Sequence, residues 1–94
     1  MWEIKISRRC LRDVKNAPKH IREAFHRIFL SKEFIENPFD ERDLRARIEK
    51  LSGAENAYKV RIGDYRVGIF LDRETQTLKV VRLLHRRDIY RYFP

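Results

Sequence analysis

From Tyr58 to Leu71 the chain alternates apolar with polar positions on both sides of a Gly63-Asp64 pair. Tyr58, Val60 and Ile62 interleave with Lys59 and Arg61, and Tyr65, Val67, Ile69 and Leu71 interleave with Arg66 and Gly68. A period of two does not suit a helix. Interrupted by Gly-Asp, it predicts two antiparallel strands joined by a two-residue turn. The register follows: Ile62 faces Tyr65, Arg61 faces Arg66, and Lys59 faces Gly68. Lys59, Arg61 and Arg66 then share the face opposite Val60, Val67 and Ile69, with no acid of the chain set to neutralise them. Like charges opposed across a sheet are destabilising, and a chain tolerates them most easily where an anion binds. Gly68 would leave bare backbone beside Lys59 for a ligand to approach. A solvated outer face would carry the same charges, so the hairpin alone leaves both readings open.

Elsewhere the pattern is helical or mixed. Trp2, Ile4 and Ile6 alternate with Glu3 and Lys5, which predicts a first strand. Ser7 suits the N-cap of a short helix with Cys10, Leu11, Val14 and Ala17 on one face. Pro18 suits the first turn of a second helix, with Ile21, Phe25, Ile28 and Phe29 at helical spacing. That helix should end before Asn37-Pro38. Leu44, Ile48 and Leu51 fit either a helical turn or a covering loop ending at Ser52-Gly53. After the polar turn Asp72-Arg73-Glu74-Thr75-Gln76, the stretch from Thr77 to Leu84 reads as a strand, but apolar residues on both faces leave its register open. The expected fold is α+β: an N-terminal strand, a two-helix antiparallel hairpin, then an antiparallel sheet of three or more strands, with the helices on one sheet face.

Ninety-four residues suit one small domain spanning 1–94. The formal charge of +8 is unevenly spread. Residues 1–32 hold nine Lys or Arg against three acids, residues 33–56 four against seven, and residues 57–94 nine against four. Basic ends attract nucleic acid or an acidic protein. No long apolar run or amphipathic membrane helix points to a membrane partner, and Met1-Trp2-Glu3-Ile4-Lys5 lacks the pattern of a secretion signal, so the expected location is cytoplasmic. The lone Cys10 has no intrachain disulfide partner and reads as a buried thiol. His20, His26 and His85 do not form a metal-ligand spacing, so no metal or other cofactor is expected.

The tail His85-Arg86-Arg87-Asp88-Ile89-Tyr90-Arg91-Tyr92-Phe93 combines arginines with tyrosines. Arginines fork onto phosphate, and tyrosines stack on unpaired bases or donate a hydroxyl. Taken in order, Tyr58-Lys59-Val60-Arg61, Gly63-Asp64-Tyr65-Arg66-Val67 and His85 to Arg91 make the chain resemble toxins of the RelE/ParE superfamily, found in bacterial toxin–antitoxin pairs. Leu51-Ser52-Gly53 approximates the leucine-glycine patch of those proteins, and the resemblance covers nearly the whole chain.

RelE-like members are ribosome-dependent messenger-RNA endoribonucleases that inhibit translation. ParE-like members poison DNA gyrase without cleaving RNA. The RelE-like resemblance implies metal-free cleavage by attack of a ribose 2′-hydroxyl on the adjacent phosphate. By that resemblance Arg66 holds the scissile phosphate, Arg86 stabilises charge or protonates the leaving group, and Tyr90 orients the reacting nucleotide. Lys59 and Arg61 match two positions that are both lysine in the best-known RelE-like nucleases. A guanidinium at Arg61 is a poor base, which leaves Lys59 as the lysine base, its neutral form favoured by Arg61 and Arg66. A shifted alignment would instead match Lys59 with the second lysine, and Arg87 would exchange roles with Arg86 after a one-residue shift. Arg87, Arg91 and His85 are candidate RNA contacts; the imidazole of His85 would also suit acid–base work, as in some relatives, with a strand-end packing residue as the reading set against it. Asp88 reads as a salt-bridge or cap partner for the arginines, and Tyr92 and Phe93 as an edge seal or an antitoxin contact. The implied partners are a cognate antitoxin, the ribosome and messenger RNA, or alternatively DNA gyrase. A diverged member that binds RNA or antitoxin without activity is a third reading, which the Arg61 departure keeps open.

Overall fold

The expected hairpin forms with the expected register: Ile62 pairs with Tyr65, Arg61 with Arg66 and Lys59 with Gly68. Gly63 has a φ of +56°, the left-handed conformation that a two-residue turn demands and glycine adopts without steric penalty. The computed structural model describes residues 2–30, 47–51, 53 and 55–94. Its elements run β1 (Glu3–Ile6), α1 (Arg8–Asn16), α2 (Lys19–Phe29), β2 (Ile48–Lys50), β3 (Ala57–Ile62), β4 (Tyr65–Asp72), β5 (Thr77–His85) and α3 (Ile89–Tyr92). Among the described residues the strands form one sheet in the order β1-β5-β4-β3-β2, with β1 parallel to β5 and the other pairs antiparallel.

Ser7 caps α1 as expected, accepting from Cys10 N. Cys10, Val14 and Ala17 are buried, with Ile21, Phe25, Ile28 and Phe29 of α2, against Val60, Ile62, Val67 and Ile69 of the sheet. Leu11 does not join them. It is 53% exposed, because α1 lies along a sheet edge and turns only a narrow stripe inward. Burial, reinforced by Asp13, pushes the Cys10 thiol up to about 12. That keeps it a protonated, inert core group.

A β-bulge accounts for the unreadable alternation of β5. Gly68 pairs with Arg82 and Ile69 with Val80, so Val81 is an extra residue between them. The inward series therefore runs Leu78, Val80, Leu83, with one step of three. Beyond Ile6, where β1 ends, α1 side chains take over the free edge of β5. Ser7 Oγ donates to Val81 O, and Asp13 Oδ2 accepts from Leu83 N at 3.0 Å and from Arg82 Nε at 2.8 Å. The Asp13 and Arg82 side chains are only 12% and 15% exposed, so losing the carboxylate would strand two donors away from water. Asp13→Asn can satisfy one of them and carries no charge. It should lower stability by about 2 kcal/mol, or roughly 10 °C in Tm, by thermal denaturation.

Three further expectations are corrected. Helices pack on both sheet faces, because the tail folds back as α3 and buries Ile89 and Phe93 with Ala57, against Phe70, Val81 and Leu84. These two side chains contribute about 2–3 kcal/mol each by burial. Bare backbone at Gly68 receives the Phe93 ring rather than a ligand: a Cβ on Gly68 would lie 2.6 Å from Phe93 Cγ and Cδ1. Ile48 lies in neither a helical turn nor a loop but in the edge strand β2, where it pairs with Val60, while Arg47 just before it is helical and Leu51 just after it is outside the strand. Leu44, Ser52 and Asn37-Pro38 lie outside the described residues. Among the described residues no helix is long and apolar enough to cross a membrane.

Candidate active-site cleft

β3 and β4 carry Lys59, Arg61 and Arg66 onto the outer face, away from α1 and α2, and α3 closes one end of that face with Tyr90. The result is a cleft of about 560 Å³ lined by Arg47, Ile48, Glu49, Lys59, Arg61, Arg66, Arg86 and Tyr90. All five residues expected at the centre of a site, Lys59, Arg61, Arg66, Arg86 and Tyr90, thus line one concavity. His85, Arg87 and Arg91 do not.

Each lining residue is held by its element. Arg86 N donates to Asp64 O at 2.8 Å, which ties the end of β5 to the hairpin turn and brings Arg86 beside Arg66. Arg66 Nη1 donates to Gly63 O at 3.0 Å and Tyr65 O at 2.9 Å. These carbonyls take up part of the charge that would otherwise face Arg61. Arg47 Nη1 donates to Arg61 O at 3.3 Å. In α3, Ile89 and Phe93 sit four residues apart and point into the sheet, so Tyr90 points out and is 66% exposed. Lys59 is buried beneath it, and its ammonium donates to the Tyr90 hydroxyl. Tyr90 accepts there and keeps its own proton free to donate.

Lys59 is also the exception to the expectation of unneutralised cations. Glu49 pairs with it across β2–β3, and Glu49 Oε2 lies 3.8 Å from Lys59 Nζ. Sequence reading missed Glu49 and Arg47 because β2 is three residues long and shows no alternation. A Glu two residues after an Arg and beside an isolated Ile was the available signal.

Outside the cleft, His85 packs against Tyr65 with ring centroids 5.5 Å apart, and its Nδ1 accepts from Arg87 N and Nε. Arg87 and Arg91 are exposed. Asp88 occupies the N-cap position of α3 but makes no side-chain capping hydrogen bond. Phe93 seals the outer sheet face rather than an edge, and Tyr92 lies exposed with its ring centroid 5.4 Å from Arg82 Cζ.

Five cations, one carboxylate and one exposed phenol line the same cleft, which makes this a small α+β protein with a site suited to a phosphorylated chain. Residues 4–90 match the family described as the ParE toxin of the type II toxin–antitoxin system parDE. The chain is 40% identical over 84 residues to Toxin RelE3 of Methanocaldococcus jannaschii, covering 89% of this chain and 90% of that protein. It superposes on a chain of the RelB–RelE antitoxin–toxin complex from Methanococcus jannaschii with a TM-score of 0.77 at 32% identity, covering 96% and 99% of the two chains. An archaeal RelE–RelB complex from Pyrococcus horikoshii OT3 gives 0.65 at 25% identity, covering 90% and 94%. The chain belongs to the RelE/ParE superfamily and is a toxin of a type II toxin–antitoxin system.

Proposed function

We propose that this toxin is a RelE-like endoribonuclease that cuts messenger RNA on the translating ribosome. The observation that carries this reading is the convergence of Lys59, Arg61, Arg66, Arg86 and Tyr90 on one cleft. The scissile phosphate lies between Arg66 and Arg86, whose guanidiniums take up the charge of the phosphorane as the 2′-oxygen attacks. Lys59 adds a buried positive charge, and Arg61 holds the flanking backbone. Arg87, Arg91 and His85 extend the positive surface toward neighbouring nucleotides. The products are a 2′,3′-cyclic phosphate and a 5′-hydroxyl. A site made chiefly of cations does little to orient a flexible strand, so the ribosome supplies the alignment. The two archaeal relatives are held in complexes of RelE with RelB, and the partner under this reading is a cognate antitoxin; the net positive charge of the cleft favours an acidic segment of it.

Tyr90 supplies both a stacking face and a hydroxyl. Tyr90→Phe should slow cleavage about tenfold, the value of one hydrogen bond. Tyr90→Ala should slow it further by removing a stacking platform, and single-turnover rates would read both.

Primer extension on a defined messenger bound to programmed ribosomes tests the function. Discrete cuts in the A-site codon, abolished by a 2′-deoxy substitution at the cut site, are the expected result. Intact messenger from a protein that still arrests growth would overturn it and direct the search to a DNA gyrase cleavage-complex assay.

A further inference from the structure

The cations of the cleft bind a phosphate, but cleavage also needs a group that removes the 2′-proton. Four of the lining residues, Arg47, Arg61, Arg66 and Arg86, are guanidiniums with donors only. Lys59 donates its ammonium to the Tyr90 hydroxyl and lies 3.8 Å from Glu49 Oε2 as an ion pair. Tyr90 already receives that hydrogen bond, and His85 lies outside the cleft. Glu49 differs from all of these. Its side chain is 70% exposed where that of Lys59 is 7%, so it is open to an incoming ribose. An ionised carboxylate is an acceptor only.

Building on the endoribonuclease reading, we infer that Glu49 is the catalytic residue that takes the proton from the ribose 2′-hydroxyl, and that Lys59 positions Glu49 and attracts the phosphate. The 2′-oxygen bonds to phosphorus, and the P–O5′ bond breaks with its electron pair leaving on the 5′-oxygen. That oxygen takes a proton from solvent, to which Glu49 returns the one it removed. The carboxylate does not exclude RNA, because five cations line the same cleft. Among the described residues, Arg47 beside β2, Lys59 and Arg61 on β3, Arg66 on β4, and Arg86 and Tyr90 beyond β5 are the charged and titratable groups that line the cleft with it.

The test is the pH dependence of single-turnover cleavage by the full-length protein on programmed ribosomes. Glu49→Gln preserves the side chain's size and an oxygen facing Lys59 but does not accept the proton. Its rate should fall by about 10²–10⁴-fold, with the acid limb of the pH–rate profile lost and ribosome binding and Tm unchanged. Glu49→Asp should restore part of the rate together with the acid limb. A Glu49→Gln rate within about threefold of wild type, or a slower rate with an intact acid limb, would overturn the assignment. Absence of cleavage by the wild type would instead sink the endoribonuclease reading, and the wild-type lanes report that separately.

Discussion

Arg66→Ala should cleave messenger on programmed ribosomes about 10²–10³-fold more slowly than wild type, the usual loss when one donor to a developing oxyanion is removed. Arg66 sits at the mouth of the turn with one nitrogen engaged by Gly63 O and Tyr65 O. A guanidinium has five donors, so others remain to grip a phosphate. Arg86→Ala should behave alike, because its backbone bond to Asp64 O survives the substitution and holds the chain in place while the guanidinium is lost. Both variants should lose growth arrest yet keep antitoxin binding and a Tm within a few degrees of wild type. Neither side chain belongs to the buried clusters. Arg66→Lys separates charge from geometry: it keeps the cation, loses the fork and should fall between wild type and alanine. A rate for Arg66→Ala within about threefold of wild type would remove Arg66 from the reaction.

Alternation in β3 and β4 made the hairpin, its register and three of the cleft's cations readable, since a one-residue slip would have turned Val60 and Val67 to solvent. Helical spacing likewise located α1 and α2. The failures were local and have physical causes. The bulge at Val81 shifts parity within β5, so no strict period survives for a pattern to detect. β2 and α3 span three and four residues, too few for a period to repeat. Their identity depends on tertiary pairing: β2 exists through its ladder to β3, and α3 through Ile89 and Phe93 on the outer sheet face. Glu49 was invisible for the same reason, because only the β2–β3 register sets it opposite Lys59. Reading Ile89 and Phe93 as an i, i+4 pair, rather than as part of a basic-aromatic run, would have found the second core.

Gly68→Ala should disable the toxin from a position that touches no substrate. The added Cβ would sit 2.6 Å from Cγ and Cδ1 of Phe93 and 2.8 Å from Cδ2, well inside van der Waals contact. The ring has little room to yield, since Phe70 lies 5.1 Å away between centroids and Phe93 is buried. Relief comes from lifting the ring, and Phe93 is held to α3 by its N–H bond to Ile89 O. Tyr90 moves with that turn and leaves Lys59. Overpacking should cost about 1–3 kcal/mol by urea denaturation. Displacing Tyr90 by about 1 Å should slow cleavage by roughly 10²-fold. The partner variant separates this from a general effect of alanine in a strand. Phe93→Ala alone should cost about 3–5 kcal/mol by leaving a cavity. In that background Gly68→Ala should become neutral or stabilising, because the clash is gone and the alanine restricts the unfolded chain. A Gly68→Ala toxin with wild-type stability and rate, or a penalty that persists without the Phe93 ring, would mean that Tyr90 is not held in the cleft by the packing of Phe93 on Gly68.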